Sequence, residues 1–147
     1  MDDIKIRQIA VDDVYYSQIY DLREEVLRKP IGLSLKNEDL SGDADDIILG
    51  AILDNKVVGC LMIHPTDAVH KVKIRQMAVA DEWQGKGLGR MLMTEAEQHS
   101  WRNNKTHIIL HARVTAQPFY DKLGYHTTSD VFTEVGIPHV VMEKMKP

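Results

Sequence analysis

The chain has 147 residues, 44% of them hydrophobic, with a formal net charge of −4 and one cysteine. That suits one ordinary globular domain spanning residues 1–147, large enough to bury a continuous core. The acidic balance argues against nucleic-acid binding, which needs a basic field. Charges at Asp2, Asp3, Lys5 and Arg7, with no long apolar run, point to a cytoplasmic protein with no signal peptide and no membrane partner.

In chain order, Ile4-Lys5-Ile6-Arg7 alternates apolar and polar residues and predicts a short half-buried strand. Asp12 or Asp13 can cap a following helix in which Tyr15, Ile19, Leu22 and Val26 share one face, and which ends by Pro30. Residues 31–46 have no clean period and carry Glu38, Asp39, Asp43, Asp45 and Asp46. Such an acidic stretch reads first as a solvated loop, and would draw a substrate amine if it faced a site. Ile47–Leu53 and Lys56–Ile63 predict two strands joined at Asp54-Asn55, a hairpin signal. Cys60 lies inside the second and reads as a buried core thiol. A third strand follows over Val72–Val79.

Next comes Gln84-Gly85-Lys86-Gly87-Leu88-Gly89-Arg90. Residues lacking Cβ reach positive φ at little cost, so alternating glycines let successive N–H groups turn inward as an anion nest. Lys86 and Arg90 are four apart, a spacing that would set both on one face of a helix beginning near Leu88, where the macrodipole is already positive. A phosphate at that helix N-terminus satisfies amides and cations together, whereas the bland alternative is a solvated strand-to-helix turn. Lys71, Lys73 and Arg75 extend this narrow positive patch, whose size suits a small anionic ligand.

In the helix, Leu88, Met91, Leu92, Glu95, Ala96 and His99 recur on one face. His107–Val114 predicts another strand, Thr115 can cap a short helix through Leu123, and Gly124 is placed to end it. Beyond a loop containing Gly136 and Pro138, His139–Glu143 forms a last strand. His107 and His111 stand four apart on a strand, roughly 13 Å from each other, so no metal site is expected. Walker, dinucleotide and serine-hydrolase motifs are absent.

Met77-Ala78-Val79, Gln84-x-x-Gly87-x-Gly89 and Ala116-x-x-x-Tyr120-x-Lys122-x-Gly124-Tyr125 occur in the order and separation that resemble the GNAT superfamily of acyl-CoA-dependent N-acetyltransferases. Leu22-Arg23-x-x-Val26 and Gly136-Ile137-Pro138-His139 resemble its small ElaA-like branch. The resemblance implies an α/β (α+β) domain: a mixed, mostly antiparallel sheet, flanked by helices and splayed between the strand ending at Val79 and the one carrying His111. Acetyl-CoA, a cosubstrate, would sit in that wedge. Its pantetheine arm would pair with Met77, Ala78 and Val79, and its pyrophosphate with Gln84, Gly85, Lys86, Gly87, Leu88, Gly89 and Arg90.

By the same resemblance Tyr120 is the acid that protonates the departing thiolate, and Tyr125 is a packing residue. Two departures stand out. The strand before the loop offers Lys73 and Arg75 where many members have a glutamate base, and Arg113 replaces a common asparagine. His111, His139 or a water chain could serve as base. The implied reaction is direct acetyl transfer to a primary amine on a small molecule or peptide, with a homodimer compatible with the fold. The alternatives are a non-catalytic acyl-CoA-binding module, favoured by the missing glutamate, and an interaction protein on the same scaffold.

Overall fold

A computed structural model describes residues 3–147; Asp2, counted above among the N-terminal charges, lies outside them. The first strand, β1 (Lys5–Gln8), leads into α1 (Tyr16–Arg23). Asp13 opens the helix region by accepting the Tyr15 N–H at 2.9 Å. The helical path continues as a wider π turn over Glu24–Arg28 and ends where Gly32 adopts φ 75°.

Strands β2 (Ile47–Leu53) and β3 (Lys56–Pro65) form the expected hairpin, with Asp54 and Asn55 at φ 49° and 63°. A two-residue turn that follows strand twist needs both central residues left-handed, a conformation Asp and Asn tolerate. After β4 (Lys71–Val79) the chain crosses through α2 (Leu88–Arg102) to β5 (His107–Arg113), then runs through α3 (Gln117–Lys122). It closes with β6 (His126–Thr127), β7 (Phe132–Glu134) and β8 (Ile137–Met145).

The eight strands form one sheet in the order β1-β2-β3-β4-β5-β8-β6, with β7 also on β8. Only the β4–β5 pair is parallel, and it runs from Lys71↔His107 to Ile74↔Leu110 and no further. Past Ile74 the strands part, as the splayed sheet of the resemblance requires. A β-bulge contributes: Gln76 sits at φ 56°, and the β3–β4 register shifts between Cys60 and Met62. The bulge reverses which face alternate residues take. Val72 and Ile74 pack in the core under α2, whereas Ala78 packs with α1 on the opposite face.

Several local expectations change. The buried face of α2 is Leu88, Leu92, Met93, Ala96 and Ser100, so Met91, Glu95 and His99 flank it rather than form it. Lys86 precedes the helix and lies 5.4 Å from the Trp83 ring centroid, so it does not share a helix face with Arg90. Thr115 caps nothing: it lies in a single 3-10 turn, Val114–Ala116, ahead of α3, which has no side-chain cap. The acidic stretch is not simply solvated. Asp43 and Asp46 are buried, with Asp43 taking Arg23 at 2.8 Å and Arg75 at 3.2 Å, and Asp46 taking Arg75 at 2.8 Å. Cys60 is buried as expected. Among the described residues no helix is long and apolar enough to cross a membrane.

Candidate active site

The parting of β4 and β5 opens a cleft of about 1010 Å³. Its floor at one end is the strand edge of Met77 and Val79 and its rim is Gln84, Gly85, Gly87, Gly89 and Arg90. Gly85 and Gly87 take φ 75° and 84°. Gly87 is the N-cap of α2, with no side-chain cap and no acid in the first turn. The first amides of the helix therefore lack an intrahelical or side-chain acceptor and present a positive dipole end, to which Arg90 adds a full charge. That combination fits a bound phosphate. A Cβ on Gly89 would come within 3.3 Å of the Phe119 ring, so the glycine allows α3 to close over the helix start.

Two of the expected donor-binding residues do not line the cleft: Ala78 on β4 packs on the α1 side, and Lys86 of the loop lies on Trp83, whereas Leu88 lines the cleft although it is buried in the core. Gln84 lines the cleft and also ties the loop to its strand, its amide donating to the Val79 carbonyl at 3.0 Å and to Asp81 at 3.3 Å.

Tyr120 enters the same cleft from α3, with its ring edge-on to Phe119 at 4.9 Å and to Tyr125 at 6.0 Å. Burial pushes its phenol up to about 12. No protein hydrogen bond restrains its hydroxyl among the described residues. Tyr125 differs: it is buried, and its hydroxyl donates to Glu97 at 2.8 Å, while Lys144 bonds the same carboxylate at 2.9 Å. Burial, then the Glu97 charge, pushes its phenol further up, which suits a packing role.

At the other end of the cleft stand His111 and His139, on adjacent strands β5 and β8, with Glu134 between them from the end of β7. His111 Nδ1 lies 2.9 Å from Glu134 Oε1, and His139 Nε2 lies 3.7 Å from Oε2. Phe132 meets His111 edge-on and stacks on His139. Because a carboxylate only accepts, the His111 proton belongs on Nδ1 and leaves the Nε2 lone pair free. His139 Nδ1 likewise donates to the Ile137 carbonyl at 2.7 Å. Burial pushes the Glu134 carboxyl up, but the His111 hydrogen bond and the charges of His111, His139 and Lys73 more than offset it, so it lies below the usual range.

Glu134 is the functional candidate that sequence reasoning missed. The carboxylate absent from β4 arrives from a hairpin on the far side of the cleft. That hairpin turns at Val135-Gly136, with φ 48° and 75°; valine is a poor residue for such a turn, so only Gly136 signalled it. Among the described residues no group of three or more His, Cys, Asp or Glu side chains is placed to hold a metal ion.

A family model for the acetyltransferase (GNAT) domain matches residues 21–146. The chain belongs to the GNAT acetyltransferase family. Its relatives include YyaT of Bacillus subtilis, 35% identical over 75 residues, where the match spans about half of each chain (51% of both). ElaA of Escherichia coli is 28% identical over 113 residues, 75% of this chain and 72% of ElaA. The crystal structure of ElaA superimposes with a TM-score of 0.78 at 18% identity, covering 96% and 99% of the two chains. A GNAT acetyltransferase from Elizabethkingia anophelis with acetyl-CoA bound gives a TM-score of 0.74 at 18% identity over 99% of both chains. The GNAT fold accounts for the sheet order and the splay, and the ElaA relationship agrees with the sequence motifs.

Proposed function

We propose that this GNAT member transfers an acetyl group from acetyl-CoA directly to a primary amine, with Tyr120 as general acid and His111 as general base. The observation that carries the reading is the single cleft into which the uncapped α2 N-terminus, the Tyr120 hydroxyl and the His111–Glu134 pair all open. The acetyl-CoA bound to the Elizabethkingia protein supports the choice of donor. Acetyl-CoA supplies an activated thioester carbonyl.

The α2 amides and Arg90 bind the donor's phosphates, and the edge of β4 at Met77 and Val79, beyond the last residue paired with β5, orients its arm. His111 Nε2 takes a proton from the acceptor ammonium, and Glu134 balances the imidazolium that forms. The amine nitrogen bonds to the carbonyl carbon, the carbon–sulfur bond breaks, Tyr120 gives its proton to the sulfur, and the extra proton left on the nitrogen passes to the phenolate, so that a neutral amide, free thiol and Tyr120 phenol result. A phenol at about 12 is fully protonated at neutral pH and so available as an acid. Glu134 also weakens the case for a non-catalytic module, which rested on a missing carboxylate.

Tyr120→Phe should lower kcat by about 10²-fold or more while leaving acetyl-CoA affinity within a few-fold, since proton transfer of this kind contributes roughly 10²–10⁴-fold. Free-thiol release and calorimetric titration measure the two quantities. Full turnover by the phenylalanine variant at every pH would remove Tyr120 from the chemistry. Tight acetyl-CoA binding by the wild type with no turnover over a broad amine panel would leave only the binding module.

A further inference from the structure

We infer that the acceptor amine also carries a carboxylate, and that Lys73 and Arg113 hold it. The inference rests on the transferase reading and narrows its substrate class. It comes from following each cation near the His111 end of the cleft to its counter-charge. Arg28 is held by Glu38 in two bonds, at 2.6 and 3.0 Å. Arg23 donates to Asp43 at 2.8 Å and Arg75 to Asp46 at 2.8 Å and to Asp43 at 3.2 Å. Glu38, Asp43 and Asp46 are thus held by these three arginines, and of the acidic stretch only the exposed Asp39 and Asp45 have no cation partner among the described residues.

Lys73 and Arg113 have no such partner. Neither makes an ion pair among the described residues, and both line the cleft. Lys73 Nζ lies 3.4 Å from His111 Nδ1, but that nitrogen carries the proton given to Glu134 and cannot also accept. Arg113 makes no side-chain hydrogen bond among the described residues. Arg113 and His111 are two apart on β5 and share a face, so their Cα atoms are about 7 Å apart. Lys73 lies on the neighbouring strand, paired with Ile109.

An amine positioned for His111 therefore lies beside Lys73, whose Nζ is 3.4 Å from the imidazole and has no ion pair, and on the strand face that also carries Arg113, while Glu134 is already engaged by the imidazole. A carboxylate one or two carbons from the amine would receive charge-assisted hydrogen bonds from both, in a cleft that shields them from bulk water. A polyamine would instead bring further positive charge against them. The chemistry selects amino acids over their decarboxylated counterparts.

The test compares matched acceptors: leucine with 3-methylbutylamine, lysine with 1,5-diaminopentane, and leucine with leucinamide. With acetyl-CoA in excess, kcat/KM from thiol release should favour the carboxylate member of each pair by about tenfold or more. Lys73→Met and Arg113→Met should each collapse that ratio toward one, and Lys73→Arg should retain it. Calorimetric titration of the amino acids into the CoA complex supplies a readout independent of turnover, with binding expected in the wild type and lost in the double methionine variant. Acetylation that ignores or disfavours the carboxylate would overturn this inference and leave the transferase intact. Carboxylate-dependent binding with no acetylation of any acceptor would do the reverse, and the absence of both binding and preference would discard the inference.

Discussion

Glu134 and His111 come from different strands, and their 2.9 Å contact fixes both the proton on Nδ1 and the direction of the free Nε2. A glutamine at position 134 could still accept that proton through its amide oxygen, so geometry survives while the charge is lost. Removing an anion beside an imidazole disfavours its protonated form. Glu134→Gln should therefore move the acidic limb of the kcat/KM profile to lower pH, and His111→Gln should lower kcat by about 10²-fold or more. A purely structural Glu134 would change stability and leave the limb in place. The residue scale is also where sequence reading had least to work with. His111 and His139 are visible as types, but nothing local says that a carboxylate from a three-residue strand lies between them.

The elements tell a different story, because their signals are local. The apolar runs of β2 and β3, the strands β4 and β5, the Asp54-Asn55 turn and the glycine stretch before α2 could all be read directly, whereas the splay came only with the resemblance to the GNAT superfamily. What sequence could not supply were features set by long-range packing. Met93 faces inward because of how α2 crosses β3 and β4, Lys86 is drawn off the helix by Trp83, and Asp43 becomes an internal counterion only once Arg23 and Arg75 arrive from α1 and β4. The N-terminus of α2 carries a prediction at this scale. Gly87 holds φ 84°, a conformation that costs other residues about 1–2 kcal/mol. In Gly87→Ala the loop should relax toward negative φ and turn its amides from the cleft. Acetyl-CoA affinity should fall about tenfold, the equivalent of about 1.4 kcal/mol, with kcat at saturation little changed. Unaltered affinity in calorimetry would show that the loop does not bind the phosphates through its backbone.

For the whole molecule, the buried ionisable groups set the pH range of stability from both sides. Burial pushes the Asp43 carboxyl up, but hydrogen bonds from Tyr16 and Arg23 and the charges of Arg23 and Arg75 bring it below its ordinary value. A carboxyl lower in the folded than in the unfolded chain stabilises fully above the unfolded value, near 4, and that contribution disappears as pH falls through the folded one. On the alkaline side the groups have the opposite sign. Burial pushes the Cys60 thiol up to about 12, and burial with the Asp43 hydrogen bond pushes the Tyr16 phenol up to about 12. Their contributions are complete below the unfolded values, about 8.5 for a thiol and about 10 for a phenol, and are lost as pH rises through the folded ones. Thermal unfolding should show a plateau of Tm bounded near pH 4 and near pH 8.5. Cys60→Ala separates the thiol from the raised phenols of Tyr16, Tyr120 and Tyr125: its Tm will be lower throughout because the variant leaves a small cavity, but the decline should start nearer pH 10. A decline still beginning near pH 8.5 in that variant would assign the alkaline limb to some group other than the buried thiol.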